Sequence, residues 1–289
     1  MVRGLFTGAS GMLAQQHRMD AISNNLANAN TTGYKRDVSV HKAFPELLLR
    51  RTSDDGVVQF PYRNEPVGSI DKAPVVGRLG TGVEQNEVYT IFEQGAVRGT
   101  SNSFDLALEG EGFFVVDTPY GERYTRNGSF TIGPESLLVT QQGYPVLGED
   151  GNPIEVQQNN FSVDDQGRVF ANEEFLNDPD RLVQMRENGW DETIQIGTLR
   201  LVGVDEPRYL RKEGGNLWNT TRESGAAVDR LNADRPAVLQ GFLETANVNP
   251  VTEMTQMIEV NRAYESNQKA IQTQDQSTGR LIAEVLRAQ

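Results

Sequence analysis

The sequence predicts an α+β protein in which long coiled-coil-type helices at both ends of the chain pair as a helical domain, with an all-β domain inserted between them. Three observations predict it. Near the N-terminus apolar residues recur every seven positions, at Leu5, Met12, Met19 and Leu26. Near the C-terminus the same spacing returns at Met257, Tyr264, Ile271 and Val285, with Thr278 filling the remaining slot. Between the two lie short apolar runs with a turn signal about every 8–12 residues, the pattern of an all-β sandwich or barrel-like domain.

The N-terminal helix starts its seam at Leu5, with Ala9 four residues on. A sustained seven-residue period marks a coiled-coil seam rather than the wider apolar stripe of a globular surface helix. The run ends at Asn28-Ala-Asn-Thr-Thr-Gly33, where Gly33 can adopt the left-handed conformation that stops a helix. Residues 35–74 read as an extended connector, rich in charge and turn formers from Arg51 to Pro74. The strands follow: Phe113–Val116, Tyr124–Arg126, Ser129–Ile132, Leu137–Thr140, Tyr144–Leu147, Phe161–Val163, Arg168–Phe170, Thr193–Ile196 and Thr198–Val202. Asn127-Gly128 is the tight turn between two of them.

The C-terminal helix opens with Asn249 as N-cap, Pro250 at the first helical position and Glu253 in the first turn. No proline follows Pro250, and Gly279 is the single later glycine. At 1.5 Å per residue such a helix runs roughly 55 Å, too long to be buried in a domain of this size. It must find partners. Met254, Ile258 and Ile282 flank the seam, and Asn261 and Gln268 share one heptad position, where amides fix register and partner number. The predicted helix-seam interface is therefore Leu5, Ala9, Met12, Met19, Leu26, Met254, Met257, Ile258, Asn261, Tyr264, Gln268, Ile271, Ile282 and Val285. The helical domain takes residues 1–74 and 241–289, and the β domain 75–240.

Composition removes whole function classes. A net charge of −13 opposes nucleic-acid binding, which needs a basic surface. With no Cys and two His, the chain has no thiolate zinc site and little material for a histidine centre. No apolar run reaches the roughly 18 residues needed to insert in a membrane. The first ten residues lack the apolar core of a cleavable signal peptide, so export, if it occurs, is expected to use another route. Catalytic, cofactor and metal residues are all expected to be absent. The carboxylate pairs Asp54-Asp55 and Asp164-Asp165 each stand just before a glycine, which is ordinary turn chemistry. Asp150-Gly-Asn-Pro153 lacks the bidentate Glu of a calcium loop. Gly110-Glu-Gly112 lacks the third glycine of a dinucleotide site and precedes a strand. The sequons at Asn30, Asn127, Asn160 and Asn219 mean little without a secretory signal.

Four collinear stretches carry a resemblance. Ser23-Asn-Asn-Leu-Ala-Asn-Ala-Asn-Thr-Thr-Gly-Tyr-Lys35 resembles the N-terminal signature of the bacterial flagellar rod and hook axial proteins. Asn102–Phe114 and Tyr124–Phe130 are similar to central β-domain motifs of that family, and Gly215-Asn-Leu-Trp218 to its return segment. Ala246–Glu265 resembles its C-terminal helix. The signature positions are Asn24, Asn25, Leu26, Asn28, Thr32, Gly33, Asn247, Asn249, Arg262 and Tyr264. Within the family the chain leans to the proximal rod proteins, with the distal ones next. After Tyr34-Lys-Arg-Asp37 it continues Phe44-Pro-Glu-Leu-Leu-Leu-Arg-Arg51 and an insert to Pro74, where distal rod proteins commonly carry a polar run and a short Leu-Leu-Tyr stretch.

The resemblance implies a structural subunit of the flagellar basal body in the periplasm, exported through the flagellar type III system. It implies polymerisation through the terminal helices into a hollow torque-transmitting tube. The partners would be other copies, neighbouring rod proteins and the export apparatus. The rivals from other classes are a coiled-coil-stalked adhesin and a carbohydrate-active enzyme on a β scaffold. Charge by segment fits the assembling reading. Residues 1–51 carry seven Lys/Arg against three Asp/Glu, and residues 241–289 four against six. The 189 residues between carry 16 against 31. The acidity belongs to the middle.

Overall fold

The computed structural model describes residues 2–50, 57–62, 65–71, 75–156, 161–172, 193–229 and 235–287. Asp54-Asp55 and the Asn160 sequon lie outside the described residues. The chain is α+β, with one helix at each end and strands between.

Helix α1 spans Val2–Ala27 and helix α2 spans Pro250–Arg287. Helix α1 contains no proline and ends where the Asn28 side chain donates from Nδ2 to the Asn24 carbonyl at 2.8 Å. Helix α2 begins as its sequence indicates. The Asn249 Oδ1 accepts the Val251 N–H at 3.1 Å, satisfying one of the free donors of the first turn. Glu253 then sits at the positive end of the helix dipole and Arg287 at the negative end.

The chain divides into two compact units. One comprises residues 1–22, 39–88 and 255–289, and the other 23–38 and 89–254. In the first unit glycines of α1 stand close against side chains of α2. A Cβ placed on Gly8 would lie 2.8 Å from Ile271 Cγ1, and one on Gly11 would lie 3.0 Å from Asn267 Nδ2. A Cβ on Gly4 would run into the Gln274 amide. Numbers rise along α1 as they fall along α2, so the contact is antiparallel. Each interior glycine costs a helix about 1 kcal/mol against alanine. Here the loss is exchanged for backbone-to-side-chain contact that no larger residue permits.

Within the stretch read as a connector, paired strands form. Leu47–Arg50 runs antiparallel to Val75–Leu79, and Val57–Tyr62 to Glu65–Asp71. Asp37–Ala43 shares a two-stranded sheet with Val83–Thr90.

The second unit is built on a six-stranded antiparallel sheet. Its order is Arg211–Gly214, Leu217–Asn219, Gly121–Thr125, Phe113–Thr118, Leu201–Gly203 and Val228–Asp229. The Phe113–Val116 run explains why Phe113–Thr118 sits inside it. Side chains alternate across a strand, and here both faces are apolar. Phe114 and Val116 enter a core with Leu106, Leu138, Val146, Val169, Leu199 and Val238. Phe113 and Val115 enter a second core with Tyr124, Leu147, Val202, Leu210 and Trp218. Four strands absent from the sequence reading also belong here: Val97–Gly99 pairs with Phe242–Glu244, and Leu106–Glu109 with Ala237–Gln240.

Candidate functional site

Eight of the signature residues, Asn24, Asn25, Leu26, Asn28, Thr32, Gly33, Asn247 and Asn249, lie in the second unit, where the segment leaving α1 meets the segment entering α2, whereas Arg262 and Tyr264 lie in the first. Asn25 is buried and makes a reciprocal pair with the backbone of Asp37. Its Nδ2 donates to Asp37 O at 2.9 Å and its Oδ1 accepts the Asp37 N–H at 2.8 Å. The Tyr34 hydroxyl donates to the same Oδ1 at 3.1 Å, and Asn25 Nδ2 also lies 3.4 Å from Glu253 Oε2 in the first turn of α2. One amide side chain thus ties the last turn of α1, the chain that follows it and the start of α2.

Asn247 does the same work from the other side. Its Oδ1 accepts the Arg36 N–H at 2.8 Å, and its Nδ2 donates to Ile91 O at 2.8 Å. Thr32 donates to Asn127 Oδ1 at 2.7 Å, and Asn216 Nδ2 donates to Thr32 O at 2.9 Å. Gly33 sits at φ +65°, and its N–H reaches Glu244 O at 2.8 Å. A side chain there would collide with the backbone of Arg126 and Asn127.

Beneath this network lies a buried charge cluster. The Lys35 ammonium pairs with Glu244, both side chains fully buried, and also donates to Glu93 O at 2.7 Å. Glu244 Oε1 accepts the Gly95 N–H at 2.8 Å, and Arg126 Nη1 stands 3.6 Å from Glu244 Oε2. Burial lowers the Lys35 pKa below the ordinary lysine range, with the Glu244 charge opposing that shift. Beside it, Asp37 accepts from Lys212 Nζ at 2.9 Å and from Thr90 at 2.7 Å.

Tyr34 is 2% exposed, and burial, reinforced by the charges of Asp37 and Glu253, holds its pKa well above the ordinary tyrosine value. The folded state therefore keeps this phenol protonated more tightly than the unfolded chain does. Its contribution is complete below about pH 10 and is lost as pH rises towards the folded pKa, by up to about 1.4 kcal/mol per pH unit. Urea titrations at pH 9.5, 10.3 and 11 should show Tyr34→Phe losing stability less steeply than the natural chain.

The predicted seam residues are placed differently from one another. Leu5, Ala9, Met12, Met19 and Leu26 are half-buried on α1, and so are Met257, Tyr264 and Ile271 on α2. Met254, Ile258, Asn261, Arg262, Gln268, Ile282 and Val285 are exposed. Ile271 of the seam set stands against α1 at Gly8, and the other neighbours of the α1 glycines, Asn267 at Gly11 and Gln274 at Gly4, were not among the predicted seam positions. Sequence reasoning also missed Asp37, Lys212 and Glu244. Asp164 is a turn residue whose Oδ1 accepts the Gln166 N–H at 2.5 Å. Among the described residues, no group of three or more His, Cys, Asp or Glu could hold a metal ion, and no helix is long and apolar enough to cross a membrane.

The chain thus combines terminal helices that expose large apolar side chains with a β-rich unit in which, among the described residues, no metal cluster is present. Comparison with known proteins gives the family. The family model "Flagella basal body rod protein" matches residues 5–35. The "Flagellar hook protein FlgE/F/G D1 domain" model matches 107–171, and "Flagellar basal body rod FlgEFG protein C-terminal" matches 239–284. The flagellar basal-body rod protein FlgG of Borreliella burgdorferi is 35% identical over 282 residues, covering 96% of this chain and 97% of that one. FlgF of Caulobacter vibrioides is 35% identical, covering 92% and 91%. The flagellar hook-basal body complex protein FlhO of Bacillus subtilis is 31% identical, covering 99% of each. The chain belongs to the flagellar basal-body rod protein family. It is a structural component of the rod, the family is not an enzyme class, and its place is the flagellar basal body, among other rod and hook proteins.

Proposed function

We propose that the chain is an axial subunit that polymerises through α1 and α2 into a hollow, torque-transmitting tube. In this reading coiled-coil-type seams form between neighbouring subunits, and residues 75–240 form the outer layer. The carrying observation is the apolar surface left on both helices. Phe6 and Leu13 on α1 are 67% and 57% exposed, and Met254, Ile258, Ile282 and Val285 on α2 lie between 53% and 60%. Helices gain most of their stability from packing an apolar face, so this surface calls for neighbouring chains. The exposed amides Asn261 and Gln268 would set register in those seams. Delivery through the flagellar type III apparatus to the periplasm goes with this reading.

Position along the rod has support on both sides. The FlgG names of the relatives lean towards the distal segment. The Phe44–Arg51 run and the insert after it are what favour the proximal segment. Electron microscopy of basal bodies carrying a tagged chain separates the two.

The assembly reading is tested at a residue free in the single chain. Ile258→Asp should leave the melting of the purified monomer within about 0.5 kcal/mol of the natural chain, because the side chain is already solvated. In cells it should abolish rods and motility, since a carboxylate buried in a seam is costly. Normal rods from this variant, and from the matching Val285→Asp, would overturn the proposal.

A further inference from the structure

The second unit takes residues from both ends of the chain, 23–38 with 89–254. No residue of 23–38 belongs to either apolar core. Polar contacts seat this segment, and most of the buried ones reach the far end of the chain. Lys35 pairs with Glu244, the Gly33 N–H donates to Glu244 O, and the Arg36 N–H donates to Asn247 Oδ1. Contacts to Asn127, Asn216 and Lys212 add to these. Among the described residues, Glu244 is the carboxylate that pairs with the Lys35 ammonium.

The segment that brings Glu244 also closes the β-rich unit. Ala237–Gln240 and Phe242–Glu244 are the sheet partners of Leu106–Glu109 and Val97–Gly99. Val238 enters the first core, and Leu106, Ala107 and Leu108 are at most 1% exposed. Without 237–244 the buried backbone groups of Leu106–Glu109 lack their ladder. Lys35, seated without Glu244, would be a buried charge with no counter-charge.

We infer that the Lys35–Glu244 pair is a latch that makes seating of the N-terminal segment conditional on arrival of the C-terminal one. Before Glu244 is in place, the ammonium keeps residues 31–37 in water. Hydrogen bonds that the early part of the chain could make by itself then wait. Two of these are diagnostic: the Asp37 N–H donates to Asn25 Oδ1 at 2.8 Å, and the Ile91 N–H donates to Arg36 O at 2.9 Å. A chain that appears N-terminus first, as in synthesis, holds its second unit open until residues 237–244 have followed. The inference stands apart from the assembly proposal, because every contact in it lies within one unit of one chain.

Pulse-labelling hydrogen exchange during refolding of the natural full-length chain reads the order. The Asp37 and Ile91 amides should gain protection with, or after, those of Val238 and Thr245, which donate to Asp165 O and Ala96 O. Protection of Asp37 and Ile91 first overturns the latch. A second reading is made at equilibrium. In Glu244→Gln the Asp37 and Ile91 amides should exchange at least about tenfold faster relative to those of Phe113–Thr118. The Lys35→Met, Glu244→Leu double variant should restore their protection, because an apolar pair seats without a counter-charge. Failure of Glu244→Gln to fold, with the double variant folded, supports the latch equally. Equal acceleration at all these amides overturns it, and so does a double variant that does not fold or leaves Asp37 and Ile91 unprotected.

Discussion

Replacing Glu244 with alanine should cost the β-rich unit about 3–5 kcal/mol, the range for removing one member of a buried ion pair. The side chain holds Lys35, faces Arg126 and accepts the Gly95 N–H, all out of contact with water. Alanine would leave two buried cations without their carboxylate and one backbone donor unsatisfied. Glu244→Gln keeps an acceptor for Gly95 and removes only the charge, so it should fall between. A Lys35→Met, Glu244→Leu double variant should recover much of the loss, because an apolar pair needs no desolvated charge. The pH dependence has a definite sign. Lys35 has a lowered folded pKa, so the unfolded chain binds the extra proton and stability rises with pH across the window up to about 10.5. Without Glu244 the lowering deepens, and the deficit of Glu244→Ala should narrow as pH increases. Urea titration by circular dichroism measures all of this. A loss below about 1 kcal/mol for the alanine variant would mean the pair is not buried as described.

Gly33→Ala should be nearly as damaging, at about 3 kcal/mol or more, or roughly 6–12 °C in melting temperature. Two effects add. A residue with a Cβ in the left-handed region costs about 1–2 kcal/mol. The new Cβ would also stand 2.5 Å from Asn127 N and 2.6 Å from the Arg126 carbonyl carbon, which are backbone atoms and cannot swing aside. Relief would have to break the Gly33–Glu244 or Thr32–Asn127 hydrogen bond. Gly241 supplies the control: it lies at φ +77° with nothing within 4 Å of a Cβ. Gly241→Ala should therefore show the conformational cost alone. Equal losses at the two positions would show that the close approach at Gly33 contributes nothing.

The terminal helices and the main strands were legible because each announces itself locally. Heptads, the Asn249-Pro250 start and the Phe113–Val116 run are signals within a few residues of one another. What escaped notice is of another kind. A close contact between α1 and α2 uses Gly4, Gly8 and Gly11 against Asn267, Ile271 and Gln274, and hydrophobic periodicity gives no weight to glycine or amides. Phe242–Glu244 pairs with a strand about 145 residues earlier, so neither strand has a partner in its own neighbourhood to betray it. Lys35 and Glu244 are 209 positions apart. No local pattern distinguishes a lysine bound for the interior from the many that stay in water. The signature asparagines were found through resemblance, and their geometry supplies the reason for them. Asn25 and Asn247 each have a donor and an acceptor on one short side chain, which lets a single residue tie two backbones together.

The strand Phe113–Thr118 lends one face to each of two cores. A body with two independent cores has a plane along which its halves can shear. Here that plane is occupied by a strand hydrogen-bonded on both edges and clamped on both faces. Neither half can loosen without withdrawing side chains from the other, so the unit should melt in one step. Under the torque-transmitting role proposed above, load entering on one side of the sheet would be handed to the other without a slip joint between them.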